Sequence, residues 1–320
     1  MLARRFSRVL AVAIFGALSL AAAAPDPPPS PDQQAARVLE ELNRGVRPTR
    51  QEFATGSLRF VIFHELGHFL IKEYNIPILA REEDMADTYA TFTLPLNGRK
   101  EELEAPIRFW LIQAQRTGKA PIAWWNDHSL DHQRAFQIAC LLAGASPDRF
   151  GQLPAAFGAP VQRIRGCAGE SAATADGWRQ TLFPARGAII GLQQAVVTYG
   201  AAPAALAESK GWLERSGILE SVALEIRRYK LPAWRVELEQ RIQQHLQRTG
   251  PRDRERLKQF ADVRAEACGK ANAYYAEPAA AGGPFTAAPL SPRRSTLVLC
   301  YELVDDVRKM AEASLAEGQR

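Results

Sequence analysis

His64-Glu65-Leu66-Gly67-His68 sets two imidazoles four residues apart with a carboxylate beside the first. On a helix that spacing puts both histidines on one face, where two ring nitrogens can reach a single metal ion. A Zn²⁺ held there lowers the pKa of a water toward about 7. Glu65 stands where a base would take that water's proton during attack on a carbonyl. No residue from Val61 to Phe63 or from Phe69 to Ile71 is charged, so the helix belongs in a core. The alternative is a pair of core histidines bonded to backbone carbonyls and a glutamate paired with an arginine. That arrangement buries three polar groups on one apolar helix, which is costly unless every one is bonded.

Zinc needs a third protein ligand and an open position. Glu83-Asp84-Met85-Ala86-Asp87 begins 15 residues beyond His68, and Glu83 and Asp87 share a helical face. Glu83 is the expected ligand, one zinc per chain, with Asp87 accepting the second ring N–H of a zinc histidine and so fixing its tautomer. Glu82, Asp84 and the distant Glu302 compete for the ligand position. An acidic helix start beside Arg81 would also suit the helix dipole without any metal.

The elements that must position these residues are mostly helical. The pattern predicts helices over Leu58–Tyr74, closed by Asn75 and Pro77, over Glu82 to about Phe92, and over Lys100 to about Arg116. Gly118–Asp127 reads as a loop carrying Trp124 and Trp125, followed by a helix through Cys140 and Leu142. Residues 186–250 read as further helix, with Val236–Gln247 a charged, solvated face. The Pro-, Gly- and Ala-rich stretch Ala276–Arg294 separates Ala271–Tyr275 from Ser295–Tyr301, and these two read as a hairpin with an enlarged tip. The expected fold class is α+β, mostly helical, with a small β-sheet or hairpin, in one domain spanning 35–320.

Residues 1–24 run from Arg4, Arg5 and Arg8 through an apolar stretch to Ala22-Ala23-Ala24, the layout of a secretory signal peptide, and 25–34 form a proline-rich spacer. No cysteine lies near the cleavage point, so no lipid-modified terminus is expected. The chain should be secreted or periplasmic, without stable membrane insertion, because no later run reaches 18 apolar residues. Lys and Arg number 40 against 35 Asp and Glu, and the leader removes three cations. So small an excess excludes nucleic acid as a partner. In an oxidising compartment Cys140, Cys167, Cys268 and Cys300 can pair in three ways; Cys140–Cys167 and Cys268–Cys300 each close a local loop, and no C-x₂₋₄-C spacing suggests a zinc site.

His64-Glu65-x-x-His68 followed by Glu83-x-x-Ala86-Asp87 resembles the gluzincin signature of thermolysin- and neprilysin-like zinc metallopeptidases. The stretch from Phe63 through Ile76-Pro77 and Arg81 to Asp87 is closer still to an uncharacterised family of bacterial secreted metallopeptidases. Asn272-Ala273-Tyr274-Tyr275 is similar to the NAYY edge-strand motif of neprilysin, and His128-Ser129 with Arg134 resembles its H-S-x₄-R segment. The resemblance implies a zincin-like core acting on peptides. It implies substrate-backbone contacts at Asn272 and Ala273, an oxyanion-stabilising His128 and a substrate-binding Arg134. The chain departs from neprilysin in three respects: its NAYY piece follows the zinc helix, the gap from His68 to Glu83 is short, and Asn126 replaces an aspartate two residues before His128.

Apart from any family, a histidine near paired tryptophans suits a developing negative charge. His128 and His132 also form an HxxxH pair that could be a second metal site, although no third ligand accompanies it. The function expected is an exported zinc metallopeptidase acting on peptide or protein substrates. The alternative is a catalytically inactive zincin-fold envelope protein that binds a partner through its helical region.

Overall fold

The computed structural model describes residues 30–45, 47–94, 98–118, 125–186, 195–233, 236–237, 240, 260–276 and 295–316. The leader, Trp124, the hairpin tip and most of Val236–Gln247 lie outside the described residues. Helix α1 (Pro31–Arg44) takes up the last four residues of the expected spacer. Proline suits a first helical position, and the Ser30 backbone N–H donates to Gln33 Oε1 at 3.0 Å.

Helix α2 (Arg50–Glu73) is the spine of the molecule and starts eight residues before the apolar pattern does. Its start is a capping box: the Glu52 N–H donates to Thr49 Oγ1 at 3.2 Å and the Thr49 N–H donates to Glu52 Oε2 at 2.8 Å. The Thr-x-x-Glu spacing was the available signal. The helix stops where Asn75 takes a positive φ of 50° before Pro77. Helices α3 (Glu82–Thr93) and α4 (Lys100–Thr117) pack along its flanks.

Helix α5 (Asp131–Ala145) joins α4 to a second layer made of the short helices α6 (Pro147–Phe150) and α7 (Leu153–Ala156) and the long α8 (Val161–Leu182). A disulfide between Cys140 and Cys167 ties α5 to α8. Strand β1 (Ala195–Tyr199) follows, then helices α9 (Ala207–Ser216) and α10 (Ile218–Ile226). Strands β2 (Ala261–Glu266), β3 (Ala273–Ala276) and β4 (Ser295–Cys300) precede the last helix, α11 (Tyr301–Ala316). The fold is thus α+β and mostly helical, with a single four-stranded sheet among the described residues.

That sheet has the order β1-β2-β4-β3. The first three strands are parallel, and β3 runs antiparallel to β4 at one edge. The expected hairpin is the β3–β4 half of it, with Tyr275 opposite Leu297. Strand β1 corrects the reading of 186–250 as all helix. Val196-Val197-Thr198-Tyr199 is β-branched and aromatic, and its partner β2 lies more than 60 residues away, beyond the reach of local pattern. A second disulfide, Cys268–Cys300, ties the turn before β3 to the end of β4. No helix among the described residues is long and apolar enough to cross a membrane.

Helices α2 and α3 meet at Gly67, where a Cβ would stand 2.9 Å from the Ala86 Cα and 3.1 Å from its Cβ. Gly67→Ala must therefore push α3 off α2, and overpacking of this kind costs about 1–3 kcal/mol. Gly169, on α8, has nothing within 4 Å of the same position. Gly169→Ala should stabilise by up to about 1 kcal/mol through helix propensity alone. Denaturant midpoints of the two variants should move in opposite directions.

Candidate metal centre

The contact of α2 with α3 brings three donor atoms together. His64 Nε2 and His68 Nε2 lie 3.2 Å apart, and Glu83 Oε2 lies 3.1 Å from the first and 3.3 Å from the second. Two imidazole nitrogens and a carboxylate, all within 4.8 Å of one another, fit the donor set that zinc takes in catalytic sites. His128, from the loop before α5, adds its Nε2 at 2.8 Å from the same Glu83 oxygen. The group opens onto a cavity of about 880 Å³ whose far wall is the Asn272–Tyr275 segment. Burial works against the charge of Glu83, but hydrogen bonds from His128, His64 and His68 overcome it and hold its pKa well below the usual carboxylate range.

His64 and His68 are each held from behind. His64, only 4% exposed, makes a 2.7 Å hydrogen bond from Nδ1 to Asp87 Oδ1. Asp87 in turn accepts two bonds from Arg134, Nε to Oδ2 and Nη2 to Oδ1, both 2.7 Å. The Arg134 guanidinium lies 3.5 Å over the ring of Trp110. Burial would raise the Asp87 carboxyl, yet the Arg134 charge and its hydrogen bonds hold it down to about 2. Burial would likewise lower His64, yet hydrogen bonds to Asp87 and Glu83 lift it to about 9 while no metal is bound. His68 Nδ1 is 2.9 Å from Glu82 Oε1, and Glu82 Oε2 is 3.1 Å from Lys72 Nζ.

Glu65 turns the other way, toward the sheet. Its Oε2 accepts the Tyr275 N–H at 2.9 Å, and burial raises its pKa against the opposing pull of His64 and His68. On β3 the Asn272 carbonyl accepts from the Cys300 N–H at 3.0 Å, so the antiparallel ladder turns the N–H and C=O of Ala273 and Tyr275 to the open edge. Ala273 therefore offers its backbone to the cavity, whereas the Asn272 carbonyl is spent inside the sheet. Tyr275 is anchored by its hydroxyl, which donates to Glu73 Oε1 at 3.1 Å, and Ser295 bonds the same carboxylate oxygen.

The structure corrects the expectation for Arg134. The side chain is buried on α5 with both arms of its fork on Asp87, so it does not line the cavity. A desolvated guanidinium beside a desolvated carboxylate is far more stable paired than exposed singly to a substrate. Of the other acidic candidates, Asp84 accepts from Ser129 Oγ at 2.7 Å, and Glu302 accepts the Cys268 and Gly269 amides at 3.0 and 2.7 Å. Among the described residues, the only other cluster with metal-ligand geometry is Cys268, Cys300 and Glu302, whose cysteines are bonded to each other. His128 and His132 form no such cluster. Sequence reasoning missed the Glu82–His68 and Tyr275–Glu65 contacts; adjacency of Glu82 to the ligand candidate was the one available signal for the first, and none existed for the second.

Residues 33–182 match the model of a protein family, DUF4344, described as "Putative metallopeptidase". The match supports a metallopeptidase family for this chain. Its span runs from within α1 to the end of α8 and holds His64, His68 and Glu83 together with Asp87 and Arg134 behind them, while the sheet and α11 lie beyond it. No curated protein and no solved structure matches. A metallopeptidase acts on peptide bonds and implies a bound metal, which agrees with the imidazole and carboxylate donors. The two disulfides fit an oxidising compartment.

The raised pKa of His64 has a consequence for the metal-free protein. A group whose folded pKa lies above its unfolded value stabilises the fold fully below the unfolded pKa, near 6.5, and that contribution disappears as pH rises through about 9. The urea midpoint of chelator-treated protein should therefore fall between those two pH values. A metal ion bound by these histidines needs them neutral, so the fall should be absent wherever such an ion is bound.

Proposed function

We propose that this chain is an exported zinc-dependent metallopeptidase of the gluzincin type, one zinc per chain, folded as a single domain after a cleaved leader. The observation that carries the reading is the convergence of His64 Nε2, His68 Nε2 and Glu83 Oε2 beside Glu65 at the floor of a cavity edged by an open β-strand. His64, His68 and Glu83 would hold the metal. Zinc, when bound, supplies a Lewis acid for the peptide carbonyl and for the attacking water.

The remaining steps belong to the chain's own residues. Glu65 acts as base for the attacking water, and its raised pKa keeps it a competent proton acceptor and later donor to the leaving amine. Ala273, on the open edge of β3, pairs with the backbone of an extended peptide by strand addition, a mode that reads main chain rather than side chain. His128 lines the same cavity, where its ring N–H would donate a hydrogen bond to the developing oxyanion. Asp87 fixes the His64 tautomer, and Arg134 keeps Asp87 charged and in place.

Glu65→Gln keeps the shape of the site and removes the base. It should retain one zinc per chain and lose about 10²–10⁴-fold in peptide hydrolysis. Glu83→Ala should lose or weaken the zinc itself, read by metal analysis of the purified protein. A Glu65→Gln variant that cleaves a peptide library at the wild-type rate would overturn the reading.

A further inference from the structure

His68 carries a support that mirrors the one behind His64, and it lies in the open. Behind His64 stand Asp87 and Arg134, whose side chains are 6% and 7% exposed. Behind His68 stand Glu82 and Lys72, at 22% and 43%. Both members of this second arm line the wall of the substrate cavity. The elements explain the placement: Lys72 is one helical turn beyond His68 on α2, and Glu82 is the first residue of α3, reaching back across the helix junction that Gly67 permits. The carboxylate is thereby committed at both oxygens, Oε1 to His68 Nδ1 at 2.9 Å and Oε2 to Lys72 Nζ at 3.1 Å.

We propose that Glu82, held by Lys72, is the positioning residue of His68: by accepting the Nδ1 proton it fixes the tautomer that leaves Nε2 free for zinc, and it makes the metal affinity of the site responsive to salt. The inference rests on the metal reading given above. With Nδ1 committed to a carboxylate, the ring faces its Nε2 toward Glu83 and His64, the direction the distances record, and Nε2 is then the nitrogen whose lone pair would be offered to a metal. Adjacent glutamates thus divide the work, Glu83 inside the donor group and Glu82 behind it. The Lys72–Glu82 ion pair faces solvent and is screened by salt, whereas Asp87–Arg134 is sealed from it. The two arms should therefore differ in their response to ionic strength.

The test is zinc affinity by chelator competition, at low and at high salt (about 0.05 and about 0.5 M), on full-length mature protein. Glu82→Ala should weaken zinc binding about 10–100-fold, the usual cost of removing an outer partner of a metal histidine. Glu82→Gln should recover most of that loss, since an amide oxygen still accepts the Nδ1 proton. Lys72→Met should weaken binding less and abolish the part of the salt dependence that wild type shows. Thermal midpoints of the metal-free variants, equal to wild type, separate this role from damage to the fold. Wild-type affinity in Glu82→Ala overturns the proposal while leaving the metal reading intact. Loss of zinc in both Glu82 variants also overturns it, because Glu82 would then be a ligand itself. A wild type that takes up no zinc overturns both.

Discussion

A histidine and a glutamate side by side on a core helix are tolerable only if each polar atom they carry finds a partner. His64 and Glu65 are 4% and 9% exposed on a helix whose other faces are packed with Phe60, Ile62, Leu66, Phe69 and Leu70. Much of the surrounding architecture follows from satisfying them. His64 is answered by α3 through Asp87, and Asp87 by α5 through Arg134. Glu65 is answered by the sheet, through a backbone amide of β3. The helix that brings the chemistry is therefore also the place where the helical layer and the sheet are joined by polar bonds.

Charge is distributed unevenly about that helix, and the unevenness has physical meaning. On the core side a desolvated aspartate is balanced by a desolvated arginine that also stacks on Trp110, so neither can leave without stranding the other. On the cavity side a lysine and a glutamate meet in partial solvent, where the pair can exchange partners at little cost. Glu83 sits between the two sides and is kept ionised by three imidazoles. The cluster thus has a sealed, rigid side and a partly solvated, adjustable one.

The sheet contributes an edge. Because β3 is the edge strand of the sheet among the described residues and antiparallel to its neighbour, the backbone N–H and C=O of Ala273 point away from the sheet beside the histidine–glutamate cluster. That edge is braced at both ends, by the Cys268–Cys300 disulfide before it and by the Tyr275–Glu73–Ser295 cluster behind it. The family match stops at residue 182, short of all four strands. The β3 side of the cavity is thus built from a later part of the chain than the side formed by His64, His68 and Glu83.

The local convergence of these side chains was legible in the residues alone. The pattern of His64, Glu65 and His68 needs only helical periodicity to converge, and Glu83 with Asp87 needs only the next helix, so spacing was enough to nominate them. The cysteine pairs close short loops, and the structure carries both. Contacts between distant segments were not legible. Arg134 resembled a substrate-binding residue in one dimension, and only the packing of α5 against α3 turned it onto Asp87. Strand β1 looked helical in its surroundings because its partner is far along the chain, and Tyr275 meets Glu65 across some 200 residues. Periodicity records which face of an element is buried; it carries no information about which other element covers that face, and that choice is made by the packing of the whole core.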